Sequence, residues 1–250
     1  MKEIIAIINQ KGGVGKSTTA YGIGAGLKLK GYRILFVDLD SQRNLTYTIG
    51  VGKINATSMD VLSRTIVAED AIQHTKNGDV IAAAPELAGA DTVITAVGKE
   101  YRLREAIETI TEGYDYIIID TPPALGILTI NALAACTGVV IPAQADIYSL
   151  QGISQLDSTI QTVRQYCNPS LSIMGIVLTR YSSRAILSRE VAEMIEETAK
   201  RLDTRLYKTC IRECIAVKEA QARQQDIFSY APKSNAAEDY KALVDEIEGK

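Results

Sequence analysis

The sequence predicts an α/β fold in a single domain spanning residues 1–250, with a doubly wound, mostly parallel β-sheet flanked by helices on both faces. Short apolar runs alternate along the chain with longer amphipathic ones, which is the pattern of repeated β-α-β units. Runs such as Tyr116–Ile119 are apolar on both faces, as expected for central strands covered by helices on each side. No stretch rich in Pro, Gly or Ser divides the 250 residues, so we expect one core.

Seven short apolar runs are predicted to be strands. They are Glu3–Ile8, Arg33–Val37, Val80–Ala84, Tyr116–Ile119, Gly138–Pro142, Ser172–Thr179 and Arg205–Ile211. The amphipathic stretches predict helices at Ser17–Lys30, Lys99–Thr111, Leu128–Ala135, Leu150–Tyr166, Ser188–Leu202 and Ala236–Ile247. The start at Ser188 rests on a residue type that caps helices well, followed by apolar residues at helical spacing. Ligands of such sheets bind beyond the carboxyl ends of the strands, where we therefore expect the functional motifs.

Composition argues against several classes of protein. The formal net charge is -3, so a nucleic-acid surface would have to be a local patch. The amino terminus lacks signal-peptide organisation and no apolar run approaches the roughly 20 residues that span a bilayer, which predicts a cytoplasmic protein without a membrane partner. The four cysteines form no C-x-x-C pair, and a single histidine, His74, argues against Ser-His-Asp chemistry and against a multi-histidine zinc site.

The stretch NQKGGVGKST, residues 9–18, predicts the phosphate-binding loop of a P-loop NTPase, because it joins the first strand to the first helix. Its glycines let backbone N–H groups curl around an anion at the helix amino terminus. Lys16 would reach the β- and γ-phosphates of ATP, and the Ser17 hydroxyl would ligate Mg²⁺. The predicted ATP-binding residues of the loop are Lys11, Gly12, Gly13, Val14, Gly15, Lys16, Ser17 and Thr18. The loop is unusual, because Gln10 replaces the first glycine of the common pattern and Lys11 adds a second lysine.

Three aspartates follow apolar strands and are predicted to surround the metal. Asp38 and Asp40 end the second predicted strand, and residues two apart point to the same side of an extended chain. Asp120 ends the fourth, which is the usual place for the second Mg²⁺ partner in P-loop proteins, often acting through water. We expect all three carboxylates to reach Mg²⁺ through bound water.

Together these motifs resemble the ParA/Soj partition ATPases, members of the deviant-Walker-A group that also contains MinD and nitrogenase iron protein. The resemblance runs from Lys2 to about Ile247 and is carried by KGGVGKST (11–18), VDLDSQRN (37–44), IIIDTPPALGILTINAL (117–133) and YAPKSNAAEDYKAL (230–243). It implies an ATP-dependent sandwich homodimer in which Lys11 reaches the phosphates on the partner chain. Hydrolysis would then depend on dimerisation, as it does where an arginine finger is supplied in trans.

The resemblance also implies roles for the site residues. Asp40 would position the attacking water, Asp38 would support the metal-bound water, and Asp120 would lie in the second switch. The implied catalytic residues are Lys11, Lys16 and Asp40. Relatives usually have Pro and Gly where this chain has Ser41 and Arg43.

DNA binding without sequence preference is implied for the carboxyl-terminal half. Residues 180–223 contain ten Lys or Arg against seven Asp or Glu. The predicted contacts to double-stranded DNA are Arg184, Lys218 and Arg223. Relatives carry arginines where this chain has Glu213 and Ala216, and a proline on the adenine side where it has Arg212, which we expect to contact ATP.

The leading hypothesis is a nucleoid-associated ATPase that partitions plasmid or chromosomal DNA, with hydrolysis stimulated by a ParB-like DNA-binding partner. The runner-up is an ATP-switched positioning or regulatory protein of the same family that acts on another cargo without binding DNA. A MinD-like membrane role would need a basic amphipathic terminal helix, whereas residues 236–250 are acidic. An iron–sulfur reductase would need a cysteine shortly after the second-switch aspartate, and residues 122–129 contain none.

Overall fold

One eight-stranded sheet organises the part of the chain that the computed structural model describes, residues 3–182 and 186–249. Its strands are β1 (Glu3–Ile7), β2 (Ile34–Asp38), β3 (Ile72–Thr75), β4 (Gly78–Ile81), β5 (Tyr116–Asp120), β6 (Gly138–Ala143), β7 (Ser172–Tyr181) and β8 (Leu206–Arg212). Their order is β3-β4-β2-β5-β1-β6-β7-β8, and neighbours are parallel except in the β3–β4 hairpin. The predicted α/β class with a mostly parallel sheet is confirmed.

Helices cover both faces of this sheet. They are α1 (Lys16–Leu29), α2 (Asn44–Ile49), α3 (Ser58–Leu62), α4 (Ala68–Ala71), α5 (Ala90–Val93), α6 (Arg102–Glu108), α7 (Ile127–Ala135), α8 (Ile147–Tyr166), α9 (Ile186–Arg201), α10 (Ile215–Ala222), α11 (Ile227–Tyr230) and α12 (Asn235–Ile247). Helices α3 to α9 contribute buried residues to the core on one face, and α1, α2 and α10 to α12 contribute to the core on the other. Both faces of the central strands are therefore dry.

Strand β1 shows how the sequence builds two cores at once. Ile4 and Ala6 pack into the first core, whereas Ile5 and Ile7 pack into the second, because successive strand side chains point to opposite faces. All four are buried. A strand covered on both sides has no solvent face to carry polar residues, which is why its sequence is continuously apolar.

Several predicted boundaries are wrong, for local reasons. Helix α9 begins at Ile186, so Ser188 lies inside the helix rather than at its start. Helix α8 begins three residues before Leu150, because the Asp146 side chain accepts the Ser149 N–H and caps it. The predicted helix Lys99–Thr111 is a 3₁₀ turn at Lys99–Tyr101 followed by α6. The predicted strand Val80–Ala84 starts two residues late and ends three residues late relative to β4.

The sheet topology places the functional motifs at one edge. Parallel strands β1, β2 and β5 end beside one another, and Asp38 lies opposite Asp120 in the β2–β5 pairing. The chain leaves β1 directly into the predicted phosphate loop and leaves β2 directly into the segment with Asp40. Within the described ranges, the structure contains no helix that is both long and apolar enough to cross a bilayer.

Candidate active site

The loop between β1 and α1 is shaped to receive an anion. Gly13 (φ +77°) and Gly15 (φ +86°) adopt left-handed backbone conformations that favour glycine. A Cβ added at Gly12, Gly13 or Gly15 would meet nothing within 4 Å, so the glycines border open space. Helix α1 starts at Lys16 with no acidic residue in its first turn, which leaves its positive end for a bound anion.

Strand ends from across the sheet brace this loop. The Thr179 hydroxyl at the end of β7 donates to the Val14 carbonyl oxygen at 2.8 Å, and Val14 is fully buried. The Gln144 side chain donates to the Gly13 carbonyl oxygen at 3.2 Å. The Asn9 side chain accepts the Lys11 N–H at 2.9 Å and donates to the Pro142 carbonyl oxygen at 2.7 Å. These contacts preorganise the loop before any ligand arrives.

Lys16 is buried at the base of the loop. Its ammonium lies 3.4 Å from the Lys11 carbonyl oxygen. Burial lowers the pKa of Lys16, and the nearby carboxylates of Asp120 and Asp40 act in the opposite direction. A buried cation beside a glycine-lined cradle of backbone N–H groups is the arrangement that phosphate binding requires.

Asp38 and Asp120 are both completely buried, but they differ in their hydrogen bonds. Asp38 accepts hydrogen bonds from the Asp40 N–H at 3.0 Å and from the Thr46 N–H and hydroxyl at 2.9 and 2.7 Å. Burial nevertheless raises the pKa of Asp38 to about 6. Burial and the neighbouring Asp38 raise the pKa of Asp120 well above its usual range, which Ser17 and Lys16 only partly offset. By hydrogen-bond geometry neither Asp120 carboxylate oxygen has a partner in the described structure, although the Ser17 side chain is near enough to favour the charged form.

Asp40 differs from these two aspartates because it lines an open cleft. This cleft has a volume of about 480 Å³ and is bordered by Gly12, Gly13, Gly15, Lys16, Ser17, Thr18, Asp40, Gln42, Asn44, Tyr47, Thr48, Pro123, Arg180, Gln221 and Ala222. We call it the phosphate cleft. One Asp40 carboxylate oxygen accepts the Gln42 N–H at 3.0 Å. Of the three predicted aspartates, Asp40 therefore has the most direct access to a ligand in the cleft.

The donor set suits Mg²⁺ together with a nucleotide rather than a metal held by the protein alone. In residues 3–182 and 186–249 there is no cluster of three or more His, Cys, Asp or Glu side chains able to hold a metal ion. Mg²⁺ binds through few protein ligands and keeps waters and substrate phosphates in its coordination shell. The unsatisfied, buried carboxylate of Asp120 beside Ser17 is a polar group that a hydrated Mg²⁺ would satisfy. The residues present thus fit the ion.

Lys11 does not border the phosphate cleft of its own chain. Its ammonium forms an ion pair with Asp146, the N-cap of α8, and both side chains are partly exposed. Although burial acts in the opposite direction, this ion pair and hydrogen bonds from Ser149 lower the pKa of Asp146. The second lysine of the loop is therefore held by a carboxylate of its own chain and does not line the cleft.

The residues predicted for the adenine side and for DNA lie near one another around α10. The Arg212 guanidinium donates to the Asp239 carboxylate, with a closest contact of 2.6 Å, and borders a small pocket that also touches Gly15 and Thr18. The Lys218 ammonium lies 3.8 Å from the Glu213 carboxylate. The Arg223 guanidinium stands 5.8 Å from the Tyr230 ring centroid. Arg184 lies outside the described residues.

Sequence reasoning missed several side chains that shape the cleft. Thr46 ties α2 to Asp38 and also accepts the Ala83 N–H at 2.9 Å. Arg180 borders the phosphate cleft with a left-handed backbone (φ +50°), and Gln221 borders it from α10. Arg43 caps α2 at φ +57°, so the residue that departs from the usual glycine sits where a side chain costs about 1–2 kcal/mol. A single sequence carries no local signal for the roles of Thr46, Arg180 and Gln221, whereas Arg43 stands out in the sequence by its departure from the usual glycine.

A P-loop ATPase is the class of protein that this fold and this cleft define. A family model described as an AAA domain matches residues 2–173. The sporulation initiation inhibitor protein Soj of Bacillus subtilis is 42% identical over 252 residues, with 99% of this chain and 98% of Soj covered. The chromosome partitioning protein ParA of Myxococcus xanthus is 38% identical, with 98% of this chain and 87% of ParA covered.

A solved structure agrees with the sequence comparison. The cobyrinic acid a,c-diamide synthase of Mycobacterium smegmatis, determined with an ATP analogue and magnesium, superimposes with a TM-score of 0.85 at 33% identity, covering 98% of this chain and 93% of that one. The chain belongs to the ParA/Soj family of partition ATPases. It is an ATP hydrolase that uses ATP and Mg²⁺, as predicted from the phosphate loop.

Proposed function

We propose that this chain is an ATP-driven partition protein that hydrolyses ATP only as a homodimer, with Lys11 of each chain completing the site of the other. The observation that supports this most directly is the position of Lys11, which does not line its own phosphate cleft and is partly exposed beside Asp146. A partly exposed cation that does not line its own site is suited to act in trans, as an arginine finger does.

Within one chain, other site residues would bind the phosphates, hold the metal and position the attacking water. Lys16, buried under the glycine loop, would bind the phosphate oxygens. Ser17 would ligate Mg²⁺, with Asp38, Asp40 and Asp120 acting through water, and the ion would supply charge neutralisation at the phosphates. Asp40 would orient the attacking water, because it is the one of these aspartates that borders the cleft.

On this proposal the ATP-bound dimer holds double-stranded DNA without sequence preference on the nucleoid, and a ParB-like partner stimulates hydrolysis and release. The relatives named Soj and ParA support a partition role. Lys218 is exposed and Arg223 is stacked beside Tyr230 at the surface, so both could reach a phosphate backbone. Because phosphate contacts accumulate, a dimer would present twice the patch.

A regulator of the same family that binds no DNA is the second candidate, and one observation favours it. Two cations of the α10 region already face acids, since Lys218 lies near Glu213 and Arg212 is paired with Asp239. The surface charge left for DNA is therefore small.

One experiment separates the two functions. The Asp40→Ala protein is expected to bind ATP and dimerise without hydrolysing it, so its affinity for an arbitrary DNA duplex can be measured with ATP and with ADP across a salt series. Binding that requires ATP and weakens steeply with salt would support partition. An ATP-dependent dimer without DNA affinity would overturn the DNA part of the proposal and favour the regulator.

A further inference from the structure

Helix α10 is only lightly packed against the rest of the molecule. Of its eight residues, Ala220 alone is buried, and the others are exposed or half-buried. Besides Ala220, only the half-buried Ala216 and Val217 of this helix pack against the second core. Because burial normally fixes a surface helix, polar contacts contribute a large share of what positions a helix with so small a buried surface. Its orientation can therefore respond to changes at the groups it touches.

One polar contact joins α10 to the nucleotide loop. The Gln221 side-chain amide donates to the Thr18 hydroxyl at 2.9 Å, across 203 residues of sequence. Thr18 belongs to the first turn of α1, and both side chains border the phosphate cleft. No other side-chain hydrogen bond links α10 to the loop or to α1 in the part of the chain described by the structure.

A second contact joins the residue that follows the C-cap of α10 to helix α2. The Asn77 side chain donates to the carbonyl oxygens of Ile49 at 2.8 Å and Gln224 at 2.9 Å. Ile49 ends α2, the helix that Thr46 ties to Asp38. The two contacts therefore connect the α10 region to helices α1 and α2, and both of these helices border the phosphate cleft.

The same helix displays two of the residues proposed to contact DNA. Lys218 lies within α10 and Arg223 caps its carboxyl end. We propose that Gln221 is a positioning residue that transmits nucleotide binding at Thr18 to the orientation of α10, and so to the DNA affinity of Lys218 and Arg223. The DNA part rests on the proposed function, whereas the coupling of α10 to nucleotide does not.

The test uses Gln221→Met, which keeps the length and helix propensity of the side chain and removes its amide. Gln225→Met is the matched control, since Gln225 and Gln221 border one small pocket beside Thr18, and the Gln225 side chain makes no hydrogen bond in the described structure. Amide hydrogen exchange of residues 12–18 and 215–222 is measured with and without a non-hydrolysable ATP analogue and Mg²⁺. DNA affinity is measured in the same two states.

In the wild type and in Gln225→Met, we expect the analogue to slow exchange in both segments. In Gln221→Met, residues 12–18 should still be protected, while residues 215–222 should exchange at the nucleotide-free rate. That pattern would mean that the variant is folded and binds nucleotide, but that nucleotide binding no longer changes α10. A merely structural role of Gln221 would not produce this pattern. Equal protection of residues 215–222 in Gln221→Met and the control would overturn the proposal, as would a wild type without nucleotide-dependent protection there.

The DNA measurement tests the second half of the inference. The ratio of DNA affinities with and without the analogue should fall towards one in Gln221→Met and remain unchanged in Gln225→Met. A wild type that protects residues 215–222 but binds no DNA in either state would refute the proposed DNA function and leave the coupling by Gln221 standing.

Discussion

Asp38 and Asp120 are opposed residues at the carboxyl ends of two adjacent parallel strands, and both are completely buried. Asp38 accepts three hydrogen bonds, whereas both oxygens of Asp120 lack a partner in the described structure. Burial raises the pKa of each carboxyl group, and the charge of Asp38 adds to the effect on Asp120. The pair therefore carries unfavourable electrostatic energy that a hydrated cation would relieve.

Replacing Asp120 by Asn should stabilise the nucleotide-free protein at neutral pH. A carboxyl group whose folded-state pKa is raised binds protons more tightly when folded, so the free energy of unfolding falls as pH rises from the unfolded-state pKa through the folded-state pKa. A difference of one between these two pKa values is worth about 1.4 kcal/mol. We expect Asp120→Asn to raise the Tm by several degrees at pH 7.5 and by less at pH 5, measured by thermal denaturation without Mg²⁺.

Mg²⁺–ATP should raise the Tm of Asp120→Asn by less than it raises the Tm of the wild type. If Asp120 supports bound Mg²⁺ through water, the stabilisation of the wild type by Mg²⁺–ATP should be larger than that of Asp120→Asn. Equal Tm values for the wild type and Asp120→Asn at pH 7.5 without Mg²⁺ would refute the proposed electrostatic strain between Asp38 and Asp120.

Removing the Thr46 hydroxyl should destabilise the fold where helix α2 contacts Asp38. This hydroxyl donates to Asp38 and accepts the Ala83 N–H, so Thr46→Val leaves a buried donor and a buried carboxylate short of a partner. The expected loss is about 1–3 kcal/mol in the free energy of unfolding, measured with urea. Thr48→Val is the control, because its hydroxyl donates only to the Asn44 carbonyl oxygen within the same helix. A loss in Thr48→Val as large as in Thr46→Val would contradict the role given to Thr46.

The phosphate loop and the strand-end aspartates could be predicted from the sequence because their pattern is local. The glycines, Lys16 and Ser17 lie together within residues 12–17, and Asp38 and Asp120 directly follow runs whose apolar character predicts strands. Parallel strands then bring their carboxyl ends to one edge of the sheet. The prediction needed only the fold class to place these residues together.

The contacts that position the loop could not be predicted because their partners are distant in sequence. Thr179 and Val14 are 165 residues apart, Lys11 and Asp146 are 135 apart, and no periodicity relates them. Strand β3 was not predicted from the sequence, for a different reason. Its four residues, Ile72–Thr75, show little apolar alternation, and its place in the sheet comes from backbone pairing with β4.

Reversing the charge of Lys218 and Arg223 together should weaken DNA binding in the ATP-bound state and leave ATP hydrolysis without DNA unchanged. Each phosphate contact that is lost should reduce the slope of log K against log salt by about 0.9. Filter binding of the Lys218→Glu, Arg223→Glu protein in an Asp40→Ala background measures the DNA affinity, and hydrolysis is measured on the double variant that retains Asp40. Arg104→Glu is the control, since Arg104 is paired with Glu108 on α6, on the opposite face of the sheet. Unchanged DNA affinity in the double variant would remove both residues from the DNA surface.

The position of Lys11 leads to a test of action in trans. Lys11→Ala should bind ATP, because the side chain does not border its own cleft, but should lose hydrolysis by about 10³-fold. Asp40→Ala should be equally inactive. If Lys11 acts on the partner's nucleotide, a mixed dimer of the two variants contains one complete site, made from Asp40 of the first chain and Lys11 of the second.

An equimolar mixture of Lys11→Ala and Asp40→Ala should therefore recover activity. Random pairing makes half of the dimers mixed, with one working site in two, which gives about a quarter of the wild-type rate. A mixture as inactive as its components would show that Lys11 and Asp40 must lie in the same chain.

Asp146→Asn offers an independent check, because releasing Lys11 from its intrachain ion pair should lower the protein concentration needed for ATP-dependent dimerisation. Analytical ultracentrifugation with the ATP analogue measures that change, and a higher concentration requirement would mean that Asp146 assists the dimer instead of restraining Lys11.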